Sequence, residues 1–281
     1  MSAYSVDGDS LINVYGIDGE LLIHWYDVNG NKVSPSYDNY TITTAWSYAR
    51  YAQGLDVHGD VVAIWDDHQN SLFLKDISDG TLISTLTPGV SSHGNDISFT
   101  NEYFDSSDEF PLICVNSQYF FRITRSSITL VRNLTQPNGV GDVNLRYGGV
   151  FNGNYMYMMG YRYNYDVETD NFIRIAKVDM TNLINYGDGT YTPTLVSYVD
   201  RDWLPCIQGA SYHDGMIWIA CGLSSPGYLY ALDPSTGDIK VSINLGSTGE
   251  LEGLGWGRND TDGWFAFIGA VKKGYIKVTF S

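Results

Sequence analysis

Positive charge is scarce in this chain. Its 281 residues carry 16 Lys and Arg against 32 Asp and Glu, which gives a formal net charge of −16 and a pI near 4.4. Phosphate backbones are gripped by clustered Lys and Arg, so nucleic acid is excluded as an expected partner. An anionic membrane surface is excluded on the same ground. Two uses of the acidity remain: a solubilising surface, or carboxylates gathered around a metal or a cationic ligand. Cysteine is nearly missing. Cys114, Cys206 and Cys221 are odd in number and widely spaced, which excludes a disulfide framework; Cys206 and Cys221 flank one expected hairpin and read as reduced core thiols. No apolar run approaches the roughly 18 residues of a membrane span. The opening stretch, Met1 to Asp9, has neither the basic nor the apolar segment of a signal peptide, so the sequence points to no membrane insertion and assigns no compartment. Helical periodicity is absent too; the best candidate, Thr181 to Asn185, is one turn at most. A Gly-rich phosphate loop, a zinc signature and a nucleophile elbow are all lacking.

What fills the chain is short strands. Ile64-Trp65, Leu72-Phe73-Leu74, Tyr119 to Ile123, Tyr155 to Met159 and Tyr228 to Leu232 are aromatic or branched, and Gly, Asn, Asp and Ser separate them. They recur as a unit. Gln53-Gly54, His93-Gly94-Asn95-Asp96, Tyr147-Gly148-Gly149, Gln208-Gly209-Ala210 and Glu252-Gly253-Leu254 each put a Gly at the head of a strand. A turn and a second apolar strand follow. The spacing averages about 50 residues, which suits four-stranded propeller blades. Gly at the head of an innermost strand permits close backbone approach where strands crowd an axis. Unit three is longer, with Tyr161 to Asp170 and Tyr186 to Tyr191 reading as polar loops.

The stretch Tyr228 to Val241, with its Asp233-Pro234-Ser235-Thr236-Gly237 turn, resembles the repeat of quinoprotein-like propellers. The resemblance implies an all-β propeller, and the five units make it a five-bladed β-propeller. It implies no quinone, because the Trp that follows in that repeat is missing after Lys240. Unit five stops at Tyr275 to Phe280 without a fourth strand, so Tyr40 to Trp46 is expected to supply it and close the ring over residues 37–281. Residues 1–36 then form an extension of two hairpins, turned at Ile17 to Glu20 and at Asp27 to Asn31, where Asn29-Gly30 is a strong type I′ signal. Such an extension suits attachment to a larger assembly.

Strand heads that converge on one axis would gather Gln53, His93, Asn95, Asp96, Tyr147, Gln208, Glu250 and Glu252 at one mouth of the channel. Ordinary hydrogen bonding around a water-filled channel is the plainest use of these groups. A ligand pocket is the second use. Catalysis is the third, with His93 as base and Asp96, Glu250 and Glu252 holding a divalent cation such as calcium. Asp27, Asn29 and Asn31 alternate as in a calcium loop, but Lys32 stands where the bend needs Gly, so a hairpin is favoured. His58 and His213 occupy matching places in units one and four and are assigned to turns. Tyr163, in Tyr161-Arg162-Tyr163-Asn164-Tyr165, is the candidate exposed aromatic for stacking on a sugar or anchoring a protein. The Tyr-, Asn- and Gly-rich texture resembles phage tail and fibre appendages. The expectation is therefore a non-catalytic propeller that binds a glycan or a protein surface; the alternative is a metal-assisted hydrolase or lyase at the channel mouth.

Overall fold

The computed structural model describes residues 3–6, 9–15, 21–26, 32–33, 37–47, 52–94, 96–162, 172–183, 189–202, 207–223, 226–259, 263–271 and 274–280. Every regular element among them is a β-strand. No helix is long and apolar enough to cross a membrane. Near the N-terminus, β1 (Ala3–Val6), β2 (Asp9–Tyr15), β3 (Leu21–Tyr26) and β4 (Lys32–Val33) pair antiparallel in chain order. The two expected turns lie outside the described residues. The flanking pairs Tyr15↔Leu21 and Tyr26↔Lys32 are described, and β1 adds an antiparallel pairing that was not anticipated.

The rest of the chain makes five sheets. After β5 (Tyr40–Trp46), blade one comprises β6 (Ala52–His58), β7 (Val61–Asp66), β8 (Ser71–Asp76) and β9 (Leu82–Leu86). Blade two has β10 (Ile97–Phe99), β11 (Ile113–Val115), β12 (Tyr119–Ile123) and β13 (Ile128–Leu134). Blade three has β14 (Asn144–Asn152), β15 (Tyr155–Arg162) and β16 (Phe172–Asp179); β17 (Thr190–Tyr191) then departs to blade two, and β18 (Thr194–Arg201) returns. Blade four has β19 (Ile207–His213), β20 (Met216–Cys221), β21 (Gly227–Leu232) and β22 (Ile239–Gly246). Blade five joins β23 (Leu251–Asn259), β24 (Gly263–Ala270) and β25 (Gly274–Phe280) to β5. That last pairing is antiparallel and runs from Tyr275↔Trp46 to Phe280↔Tyr40.

Side-chain alternation shows how the sheets are arranged. Val61, Ala63 and Trp65 of β7 pack with Ile113 and Phe121 of blade two, whereas Val62 and Ile64 pack with Phe265 and Phe267 of blade five. In β20, Ile217 and Ile219 join Val150 and Met159 of blade three, while Trp218 and Ala220 join Leu254 and Trp256 of blade five. A period-2 strand apolar at every position has a neighbour on both faces. The fifth contact, between blades two and three, centres on Cys114, Phe120, Phe151 and Met158. Five apolar clusters thus fill five junctions. The chain is a five-bladed β-propeller. Burial falls outwards, from the fully buried β7 to the mostly exposed β18 and β22.

Turn chemistry repeats with the blades. Asp233 Oδ1 accepts from the Ser235 amide and hydroxyl, and Gly237 N–H donates to the Asp233 carbonyl. Asp76, Ser78 and Gly80 reproduce those bonds in blade one, and Asp179 with Thr181 reproduces the first two in blade three. The sequence reading recognised only the blade-four copy. One loop assignment needs correction. Thr190–Tyr191 is not loop but a strand, which pairs in parallel with β13 through Asn133↔Thr190 and Leu134↔Tyr191. Thr135 N–H donates to the Tyr191 carbonyl at 2.9 Å, so a segment of unit three covers the outer edge of blade two.

Candidate functional site

The inner strands β6, β19 and β23 begin within a residue of their predicted heads, whereas β10 begins at Ile97, after His93, and β14 at Asn144, before Tyr147. Glycine lets them close on one another. A Cβ on Gly253 would lie 2.2 Å from the Leu55 nitrogen, and one on Gly209 would lie 2.4 Å from the Gly253 backbone. One on Gly54 would lie 2.6 Å from the Gly94 carbonyl oxygen. These three glycines share a level, so the residues ahead of them, Gln53, Gln208 and Glu252, form one tier. β-Bulges set that tier. Register shifts fall at Ala52/Leu55, Asn144/Gly148, Ile207/Gly209 and Glu252/Leu254, which places the same irregularity at the head of four inner strands. A bulge re-aims the side chains beside it, and here it recurs at the channel mouth.

Two buried carboxyls pin the strands just below. Asp96 Oδ2 accepts from Gly149 N–H at 2.7 Å and Oδ1 from Ala210 N–H at 3.0 Å, tying blade two to blades three and four. Asp56 Oδ1 accepts from Val57 N–H at 2.8 Å and Oδ2 from Phe99 N–H at 2.7 Å, tying blade one to blade two. Burial raises the Asp96 carboxyl to about 7, against the pull of its two amide donors. Burial likewise raises Asp56 well above the usual range, with Asp96 adding repulsion. Both are structural clamps. Asp96 was expected to ligate a cation, but its two oxygens are spent on backbone amides.

At the mouth itself, Glu252 is only 4% exposed. Burial, followed by repulsion from Glu250 and Asp67, pushes its carboxyl up to about 9. Glu252 therefore carries a proton at neutral pH. Glu250 Oε1 accepts from Gln208 Nε2 at 2.8 Å. His93 is exposed, and its Nδ1 sits 2.8 Å from Asp67 Oδ2. The other oxygen, Asp67 Oδ1, accepts no hydrogen bond and lies 3.9 Å from His68 Nε2. Tyr147 stacks on Tyr161 with centroids 4.2 Å apart, at the same end of blade three. Gln53 is half-buried. Asn95 and Tyr163 lie outside the described residues, as does Cys206; Cys114 and Cys221 are free buried thiols.

The structure thus joins Gln208 to Glu250, sets Gln53 and Glu252 just ahead of neighbouring glycines, and pairs His93 with Asp67. It sends Asp96 deeper. Among the described residues, no three His, Cys, Asp or Glu side chains are grouped to hold a metal ion, so Asp96, Glu250 and Glu252 do not form the expected ligand set. Asp67 was missed by the sequence reading. Its signal was available: β7 runs antiparallel to β6, so the residues after Asp66 return to the mouth where β6 begins. Asp56 carried no such signal, since an alternating strand gives no warning of a buried acid.

The two matching histidines close equivalent hairpins, His58↔Val61 and His213↔Met216. Asp214 and Gly215 have φ of 48° and 78°, the type I′ geometry. Their imidazoles do more than turn the chain. His213 stacks on Trp256 with centroids 3.9 Å apart, and burial lowers it to about 3. His58 packs at 5.2 Å from Phe99, and burial lowers it as well.

No protein-family model matches the chain, and no curated protein matches it. Solved structures do. A glutaminyl cyclase from Myxococcus xanthus has 13% identity and a TM-score of 0.53, covering 86% of this chain and 96% of its own. A luciferin-regenerating enzyme has 7% identity and a TM-score of 0.50, covering 86% of this chain and 95% of its own. A PQQ-bound aldose sugar dehydrogenase from Streptomyces coelicolor has 11% identity and a TM-score of 0.49, covering 88% of this chain and 100% of its own. The likeness is one of fold.

Proposed function

We propose that the chain is a binding propeller whose channel mouth recognises a hydroxylated ligand, with a glycan as the fitting class. The observation that carries this reading is the bulged tier of strand heads. It supplies amide groups from Gln53 and Gln208, a carboxylate acceptor at Glu250 and a protonated carboxyl at Glu252, all at one mouth. Sugar hydroxyls both donate and accept, so a mixed ring suits them better than a ring of one kind. The stacked Tyr147–Tyr161 pair offers an aromatic platform alongside. A virion appendage is the setting the tyrosine- and glycine-rich texture suggests, with residues 1–36 as the tether. Glycan-array screening of the full chain tests the reading: saturable binding weakened about tenfold or more in Tyr147→Ala is expected. Binding that ignores Tyr147→Ala and Gln208→Ala alike would sink it.

One observation favours a second reading. A carboxyl that keeps its proton near neutrality beside the carboxylate Glu250 is the pairing an acid–base hydrolase or lyase uses. Propellers of this fold include enzymes, such as the glutaminyl cyclase above, but fold is a weak guide to chemistry. Turnover of a bound glycan that disappears in Glu252→Gln while binding persists would decide for catalysis.

A further inference from the structure

At the end of the ring opposite the mouth, short turns join the first two strands of three blades. The flanking pairs are His58↔Val61, Asn152↔Tyr155 and His213↔Met216. Blade two differs: residues 100–112 separate β10 from β11. Loops of this length in a compact fold are usually functional. This one is fixed from within. Thr100 N–H donates to the Leu112 carbonyl and Leu112 N–H to the Glu102 carbonyl, while Phe110 and Leu112 are buried. Asp105 N–H donates to Asp108 Oδ2 at 3.1 Å, and Asp108 N–H to the Asp105 carbonyl at 3.0 Å. The same frame holds two adjacent rings in solvent, with Tyr103 41% exposed and Phe104 38% exposed. Aromatic rings presented on ordered backbone lose little freedom when covered, which suits them to anchor a protein partner.

The chemistry of that partner is displayed by the chain itself. Arg122 lies 5.1 Å over the Phe104 ring and donates from Nη2 to Asp108 Oδ1 at 2.5 Å. Arg125 lies 5.9 Å over the Phe110 ring and donates from Nε to Glu109 Oε1 at 2.6 Å. Each guanidinium is held by a ring and a carboxylate of the loop. Tyr103 and Glu102 are the same two groups with the arginine missing. Among the described residues, no ring or cation contacts Tyr103 and no Lys or Arg pairs with Glu102. We propose that the loop of residues 100–112 docks an arginine-bearing segment of another protein, whose guanidinium stacks on Tyr103 and pairs with Glu102. Charge fixes the sign of that partner: residues 100–112 include four acids and no Lys or Arg, on a chain of net charge −16. Arginine fits better than lysine, because a planar guanidinium stacks through its face while its edge donates to a carboxylate. The loop lies away from the channel mouth, so the segment and a channel ligand do not compete.

The test measures binding of hexa-arginine and hexalysine peptides to the full chain by calorimetry, at about 0.15 M salt where diffuse attraction is screened. Hexa-arginine is expected to bind saturably and about threefold more tightly than hexalysine. Tyr103→Ala should weaken it about fivefold and Glu102→Gln about threefold, while Tyr103→Phe, which keeps the ring, should bind like the unaltered protein. Melting curves establish that each variant is folded. Hexa-arginine binding that ignores both Tyr103→Ala and Glu102→Gln would reveal a general pull of the acidic surface and overturn the site. Failure of hexa-arginine to bind, or equal binding of hexalysine, would overturn it too. Self-association of the chain that disappears in Tyr103→Ala would assign the loop to a second copy and overturn the proposal of a foreign partner.

Discussion

Replacing Glu252 by Gln should stabilise the protein, and increasingly so as pH rises. In the fold this carboxyl is held at about 9, against 4.5 for an exposed glutamate. The folded chain keeps a proton that the unfolded chain has already lost. The stability that proton confers is fully present below about pH 4.5 and drains away as pH climbs towards about 9. Each pH unit in that window removes about 1.4 kcal/mol. From about pH 5 to about pH 8 the loss reaches about 4 kcal/mol at most. Gln has the shape of the neutral acid and does not titrate, so the variant escapes the loss. Urea unfolding of both proteins at several pH values isolates the effect, since every other titration cancels in the difference. A stability gap of about 2 to 4 kcal/mol opening between those pH values is expected. A gap that stays flat would show that the Glu252 carboxyl is ionised and solvated, and the electrostatic description of the mouth would fall with it.

Four further outcomes concern the axis, a hairpin turn and the blade junctions. Gly253→Ala places a Cβ 2.2 Å from the Leu55 nitrogen at a φ of +75°, and should cost about 3 kcal/mol or more by chemical denaturation. Gly59→Ala, at φ +58° with open space around it, should cost only about 1 kcal/mol. Asp96→Ala strips the acceptors from Gly149 and Ala210, so about 3 kcal/mol of stability and the hydrogen-exchange protection of those two amides should go together. His213, lowered to about 3 from 6.5, stays neutral in the fold and charges on unfolding. Its contribution is present above about pH 6.5 and lost as pH falls towards about 3, so His213→Phe should flatten that acid limb of a melting-temperature profile.

The architecture was legible because glycine and period-2 burial are both written in the chain. Gly54, Gly209 and Gly253 sit where a side chain has no room, and their spacing alone marks the axis. The strand supplied by Tyr40 to Trp46 was legible for a related reason, since blade five lacks a fourth partner. Most of the mouth followed from the same spacing, because Gln53, Gln208 and Glu252 immediately precede those glycines. What escaped was set by depth rather than by order. Asp96 and Glu252 are both acids at strand heads, and nothing in the order of residues announces that two backbone amides hold the first. Asp67 escaped because it lies in the turn that follows β7 and not at a strand head. β17 escaped because a two-residue strand borrowed by a neighbouring blade leaves no periodicity to detect.

The seam between β5 and β25 has a consequence for how the molecule is made. Tyr40 and Phe280 pair although about 240 residues of chain separate them. During synthesis, four blades can assemble from local contacts while the fifth remains a three-stranded fragment awaiting its partner. Until residues 274–280 arrive, the Tyr40–Trp46 strand offers a bare hydrogen-bonding rim to any other nascent chain. Production yield at high expression should therefore be governed by that delay, since so distant a pairing is slow to form.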